Sequence, residues 1–225
     1  MDDPSHTRPV AVITGGAGDL AVIIASELQT AGYEVHAPGR DVLDVTSTSS
    51  VDAFFKDLPR VDLLIHSAGR CLDRSFARME EGDFDQVLDV SLHGAFRVSR
   101  AALKHMSRKH GGHIVMIGSF SAWSGPPGQA NYAAAKAGLV GLAQSLAEEY
   151  GPRNTRVNVI FPGFMDTRMT AGLSEDVRGA AQSAHALGRF NTPRQVAGFI
   201  RFIDQSMPHT SGQVFNLDSR IHRWT

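Results

Sequence analysis

The chain has 225 residues, 42% of them hydrophobic and 20% charged, a length that admits one large α/β domain or two small ones. Its 22 Lys+Arg against 23 Asp+Glu leave a net charge near −1, which excludes the basic footprint of a nucleic-acid or acidic-membrane binder. One cysteine, Cys71, excludes an internal disulfide framework, and a polar, acidic N-terminus without any membrane-length apolar run predicts a cytoplasmic protein with no membrane partner.

A short apolar run at 9–13, rich in β-branched residues, predicts a strand that ends at Thr14-Gly15-Gly16-Ala17-Gly18-Asp19-Leu20-Ala21. Leu20, Ile23, Ile24 and Leu28 then keep helical spacing up to Gly32. Strand, glycine loop and helix in that order make Gly16-x-Gly18-x-x-Ala21 a dinucleotide-binding fingerprint. The glycines permit the tight turn and close backbone approach to a diphosphate, which the N–H groups of the helix start would face. A second strand, 34–37, leads to Pro38-Gly39-Arg40-Asp41. At this position an acid selects NAD and an arginine accommodates the 2′-phosphate of NADP, so Gly39 followed by Arg40 favours NADP(H), with Asp41 leaving NAD(H) open.

Leu43-Asp44-Val45-Thr46 comes too soon for a helix to intervene, and 50–58 reads as a helix. The apolar strand 61–65 ends in His66-Ser67-Ala68-Gly69, small residues against which a ligand can lie. From 83 to 109 the apolar positions predict one long helix that Gly111-Gly112 ends. His110 and His113 flank those glycines without a third ligand at useful spacing, so no metal site is expected. The strand 113–118 delivers Ser119, and the helix 131–150 carries Tyr132 and Lys136 one turn apart on one face. Charges about 4 Å apart at an effective dielectric near 20 interact by roughly 4 kcal/mol, enough to bring a phenol toward neutrality as a general acid or base. On the same helix Ala134, Gly138, Gly141 and Ser145 form a stripe of small residues suited to close packing, within the chain or between subunits. A sixth strand, 156–161, ends at Pro162-Gly163; 165–190 has weak periodicity, 193–204 is helical and 212–217 is a last strand. Phe120, Trp123 and Phe164 suggest an apolar wall to a pocket. Strands alternate with helices throughout, without linker or repeat, which predicts one α/β domain over 1–225 with a parallel sheet covered on both faces.

With these motifs in order, the chain resembles the short-chain dehydrogenase/reductase family over about 9–218. The carriers are Tyr132-x-x-x-Lys136, Ser119 thirteen residues before the tyrosine, Pro162-Gly163-x-x-x-Thr167-x-Met169 and Leu43-Asp44-Val45. Asn131-Tyr132-Ala133-Ala134-Ala135-Lys136-Ala137-Gly138, Arg156-Val157-Asn158 and Gly188-Arg189-Phe190 are similar to the 3-oxoacyl-acyl-carrier-protein reductase branch in particular. The resemblance implies a Rossmann-like, doubly wound, mainly seven-stranded sheet and a homotetramer or homodimer pairing its long helices. It implies hydride transfer between a nicotinamide and a small-molecule or carrier-bound carbonyl. Tyr132 would be the proton donor, Ser119 would orient the carbonyl, and Lys136 would lower the tyrosine pKa and hold the ribose. Implied cofactor contacts are Gly15, Gly16, Gly18, Asp19, Leu20, Gly39, Arg40, Asp44, Val45, Ser67, Ala68, Gly69, Pro162, Gly163, Met165 and Thr167, besides Tyr132 and Lys136. The same residues would serve a secondary-alcohol dehydrogenase in the oxidative direction, while loss of turnover would leave a nucleotide sensor. The chain departs from the family pattern at four places. His66-Ser67-Ala68-Gly69 replaces Asn-Asn-Ala-Gly, Ser91 replaces the helix asparagine of a water-linked proton path, Asp218-Ser219-Arg220 replaces Asp-Gly-Gly, and the glycine loop is one residue shorter.

Overall fold

The computed structural model describes residues 8–106 and 109–221. Its sheet has six parallel strands, β1 (Val10–Thr14), β2 (Glu34–His36), β3 (Leu63–His66), β4 (Gly112–Ile117), β5 (Thr155–Phe161) and β6 (Val214–Asn216), in the order β2-β1-β3-β4-β5-β6. The chain winds outward from β1 to β2, then returns past β1 to β3. The carboxyl ends of β1 and β3 thus flank the switch point at which open α/β sheets bind ligands.

Alternating strand residues feed two apolar layers. Ala11, Ile13, Leu63, Ile65 and Val115 pack under α1 (Asp19–Thr30) and α8 (Pro193–Ser206). Val12, Leu64, Ile114, Met116 and Val157 pack under α2 (Thr48–Lys56), α4 (Gly94–Ala102) and α6 (Ala130–Tyr150). The helices begin where the sequence provides caps. Ser47 accepts from the Ser50 N–H ahead of α2, and Thr192 and Gln195 form a capping box around Pro193 at the start of α8.

Two expectations about elements change. The seventh strand is missing among the described residues, because 43–46 forms a buried loop. Asp44 Oδ1 accepts from the Thr46 N–H at 2.9 Å and the Thr46 hydroxyl at 2.7 Å, a local turn that competes with a ladder, while Leu43 and Val45 still enter the core. The long helix predicted over 83–109 is broken. α3 (Glu81–Leu88) passes through a π-helical turn at Asp89–His93 into α4, which ends at Ala102 with bonds three residues back from Lys104 and His105. Residues 107 and 108 lie outside the described residues, as does the tail from 222 through Trp224. Within the weakly periodic 165–190, Ser174 caps a short helix, α7 (Glu175–Ser183).

Candidate active site

The carboxyl ends of four neighbouring strands bring the expected segments to one edge of the sheet. After β1 comes the glycine loop, after β3 Ser67-Ala68-Gly69, after β4 Ser119, and after β5 Pro162-Gly163. The glycine loop is shaped for close approach. Gly15 has φ +67, a Cβ at Gly16 would fall on the Ala37 carbonyl oxygen, and the Gly16 N–H donates to Pro38 O at 2.9 Å. Leu20 is buried under the sheet, which packs α1 against it just beyond the turn. Gly15, Gly16 and Gly18, the positions where the sequence leads one to expect a dinucleotide diphosphate, thus form a tight backbone turn at the start of α1. Beyond β2, Arg40 Nε donates to Asp44 Oδ2 at 3.2 Å with its side chain 75% exposed, and Asp41 lays its carboxylate over Gly39. Hydrogen bonds from Thr46, then Arg40, hold the Asp44 carboxyl below its usual range.

Thr14 ties the switch point together. Its hydroxyl oxygen accepts from the Ser67 N–H at 3.2 Å and the Ala68 N–H at 3.1 Å, so its own hydrogen points to His66 Nδ1, 3.1 Å away. His66 Nε2–H then donates to the Ser91 carbonyl at 3.2 Å. Burial above all, then the nearby Lys136 charge, pushes His66 down to about 3, so the ring is neutral at physiological pH. This neutral bridge fastens the π-turn to β3. The Ser91 hydroxyl is buried without a hydrogen-bond partner among the described residues. A Cβ at Gly69 would lie 3.8 Å from that hydroxyl and 3.5 Å from Lys136 Nζ, so Gly69, Ser91 and Lys136 share one space.

α6 starts at Ala130, and Asn131 anchors it by donating to Leu72 O at 3.0 Å and Asp83 O at 3.3 Å. Tyr132 follows directly. Lys136 is 4% exposed, donates to Ile117 O at 2.7 Å and lies 5.5 Å from the centre of the Tyr132 ring. The Tyr132 phenol feels Ser119, Cys71 and Asp73 electrostatically, while Ser119 Oγ accepts from the Ser121 N–H at 3.1 Å. The phenol titrating near neutrality, expected from spacing, is not found. Burial raises the Tyr132 pKa above its ordinary value, helped by Cys71 and Asp73, and Ser119 opposes it only in part. The lysine is the partner that moves toward neutrality, pushed down to about 8 by burial. Burial also pushes the Cys71 thiol up to about 11.

The segment after β5 closes the site. Asn191 donates to Pro162 O at 2.9 Å and Leu217 O at 2.6 Å, and a Cβ on Gly163, at φ +83, would meet Asp218 Cβ at 2.6 Å. Met165 bridges to Asn191, and the Thr167 N–H donates to Thr170 Oγ1 at 3.0 Å. Arg168 continues across the glycine loop to Asp19, and Cys71 meets Met169 through sulfur at 3.9 Å. Val45 is buried, packed against Gly94 of α4. The aromatic wall is more internal than expected. Trp123 packs on Phe161 with ring centres 4.7 Å apart, Phe164 on Phe190 at 4.3 Å, and Phe120 takes the Arg220 guanidinium at 4.3 Å. A groove of about 420 Å³ beside this segment is lined by Asp166, Arg178, Gln182, Arg189 and Phe190 among others.

His66, Cys71, Asn131 and Arg168 are the side chains that sequence reasoning gave no role. His66 and Asn131 stand inside quoted motifs, whereas the places of Cys71 and Arg168 depend on contacts between distant segments. Among the described residues no group of three or more His, Cys, Asp or Glu could hold a metal, and no helix is long and apolar enough to cross a membrane. His113 instead donates to Asp204 at 2.8 Å and faces Asn158.

Comparison with known proteins extends the resemblance over most of the chain. A family model described as enoyl-(acyl carrier protein) reductase matches residues 20–219. The 3-oxoacyl-[acyl-carrier-protein] reductase FabG of Aquifex aeolicus (strain VF5) is 36% identical over 212 residues, 92% of this chain and 85% of the relative. MabA of Mycobacterium bovis (strain ATCC BAA-935 / AF2122/97), a reductase of the same description, is 35% identical over 96% of this chain and 93% of its own. The crystal structure of gox2181 superposes with a TM-score of 0.87 at 28% identity, covering 94% of this chain and 95% of the other.

Proposed function

We propose, from the premise that this chain belongs to the short-chain dehydrogenase/reductase family and is an oxidoreductase of carbonyl and CH–OH groups, that it reduces a ketone to a secondary alcohol with NADPH, with 3-oxoacyl thioesters as the substrate class. The observation that carries the reading is the half-buried Tyr132 packed beside Lys136, with Ser119 in electrostatic reach of its phenol, at the carboxyl edge of the sheet. A phenol with a raised pKa is protonated at neutral pH, the state a proton donor to a carbonyl oxygen must have. Ser119 orients that oxygen by a second hydrogen bond. Lys136, at about 8, is mostly charged at neutral pH, so it stabilises the phenolate left after donation and holds ribose hydroxyls. The Ser91 hydroxyl, open to a new partner beside Lys136, carries the proton back through water.

The dinucleotide is held by Gly15, Gly16, Gly18 and the backbone N–H groups of Asp19 and Leu20 at the diphosphate, by Asp44 and Val45 near the adenine, and by Ser67-Ala68-Gly69, Pro162, Gly163, Met165 and Thr167 toward the nicotinamide. When bound, it supplies hydride to the carbonyl carbon. Preference for NADPH rests on Arg40, whose exposed guanidinium is free to turn from Asp44 to a 2′-phosphate, with Gly39 in the place of an acid. Residues 1–225 act as one domain, and outward-facing Ala134, Gly141 and Ser145 on α6 suit helix pairing in a cytoplasmic homodimer or homotetramer.

The test is NADPH consumption with a panel of 3-oxoacyl thioesters and simple ketones. Wild type turns over, best on the thioesters, and Tyr132→Phe lowers kcat by roughly 10²- to 10⁴-fold with NADPH affinity retained. Near wild-type turnover in Tyr132→Phe overturns the proton-donor role, and NADPH binding without turnover on any substrate identifies a sensor instead.

A further inference from the structure

Asp19 is the first residue of α1, immediately past the glycine loop, where its carboxylate faces the positive end of the helix. Arg168 reaches it from the loop after β5, 149 positions away. The Arg168 backbone N–H donates to Asp19 Oδ2 at 2.6 Å, Nε donates to Oδ1 at 2.6 Å, and Nη2 donates to the Ala17 carbonyl oxygen. The guanidinium thus lies across the mouth of the loop that would cradle the diphosphate.

A carboxylate at that mouth favours the empty helix end but repels a diphosphate. A guanidinium does the reverse, since its planar fork matches two phosphate oxygens. Changing partners costs little here. The Arg168 side chain is 72% exposed, and exposed ion pairs contribute little to stability. We infer that Arg168 is a diphosphate ligand of the dinucleotide site, held ready by Asp19 and passed from that carboxylate to the diphosphate on binding, so that the loop after β5 closes on the cofactor by exchange of charge. The inference rests on the dinucleotide reading of the glycine loop. It also gives Asp19 a second role, that of neutralising Arg168 until the cofactor arrives.

The experiment is titration with NADPH, followed by its fluorescence and by calorimetry, of wild type, Arg168→Gln and Asp19→Asn, with circular dichroism as a check on folding. Arg168→Gln raises Kd roughly ten- to hundredfold, the loss of charge-assisted bonds, whereas Asp19→Asn leaves Kd unchanged or lowers it. Adenosine 2′-monophosphate, which lacks both phosphates of the diphosphate bridge, keeps its wild-type affinity in Arg168→Gln. A pair that served only as a strut would weaken NADPH binding alike in both variants, and that result, or an equal loss of the monophosphate, overturns the inference. Arg168→Gln within about twofold of a wild type that binds NADPH overturns it too, leaving the site reading intact. A wild type that does not bind NADPH overturns both.

Discussion

Lys136 is a charged group carried into a nearly closed space, 4% exposed, with the Ile117 carbonyl as its acceptor. Such a position costs stability at any pH where the ammonium is kept. Its pKa falls from 10.5 to about 8 on folding, so the unfolded chain binds the extra proton between those values and stability rises with pH across them. Below about 8 the full penalty applies. Lys136→Met, of similar length and apolar, is therefore expected to be more stable than wild type at pH 7 by on the order of 1–3 kcal/mol while losing carbonyl reduction. Urea midpoints at pH 7 and pH 9.5 check this, since the advantage should shrink at the higher pH. A variant no more stable than wild type at pH 7 would mean that the carbonyl bond to Ile117 outweighs burial. The Tyr132, Lys136 and Ser119 set was legible from spacing and strand order. The direction of their titration was not, because it depends on burial, and a four-residue interval says nothing of how deeply a pair is packed. Arg168 and Cys71 escaped for a related reason, each meeting its partner only after distant segments fold together.

At the scale of elements, the π-turn Asp89–His93 is the joint on which the site's inner wall depends. It holds Ser91 toward Lys136, is tied to β3 by His66, and packs Leu92 against Gly138 of α6. A Cβ on Gly138 would lie 2.7 Å from Leu92 Cδ2, closer than packed carbons tolerate. Gly138→Ala gains about 1 kcal/mol of helix propensity but overpacks this joint at a typical cost of about 1–3 kcal/mol. It is expected to lower stability and slow turnover by moving Ser91. Leu92→Ala should relieve the crowding, so the double variant is less destabilised than the two single losses together by about 1 kcal/mol. Additive losses in denaturant titrations would refute the coupling. The periodicity that predicts one helix over 83–109 could not disclose this joint, because a π-turn is a local change of hydrogen-bond span within a helix that runs on, and apolar spacing does not record which carbonyl each N–H reaches. The missing seventh strand has a similar cause. Leu43 and Val45 are as buried as strand residues, and only the Asp44 turn onto Thr46 distinguishes them from one.

Across the whole molecule, buried polar groups occupy both ends of the sheet, with catalysis assigned to one. At the carboxyl edge His66 bridges Thr14 and the π-turn; at the amino edge His113 donates to Asp204, which also accepts from Tyr33 and Arg156, while Arg156 donates to Ile203 O and Met207 O at the end of α8. Burial, the largest cause, depresses the pKa of each histidine, and it takes His66 to about 3, so that His66 is neutral at physiological pH. A histidine in the unfolded chain takes a proton near pH 6.5, so below that value the unfolded state binds more protons and stability is lost as the pH is lowered. The expected slope is up to about 1.4 kcal/mol per pH unit for each histidine, and for His66 it continues toward pH 3. Urea midpoints should therefore hold between pH 7 and 8 and drop from pH 6.5 to 5, before most carboxylates titrate. His66→Asn removes the His66 proton from this balance and should flatten the drop, even if its own midpoint at pH 7.5 is lower. An equal drop in the variant would place the acid sensitivity elsewhere, at the Asp204 cluster, and would mean that the bridge from β3 to the π-turn survives protonation of its ring.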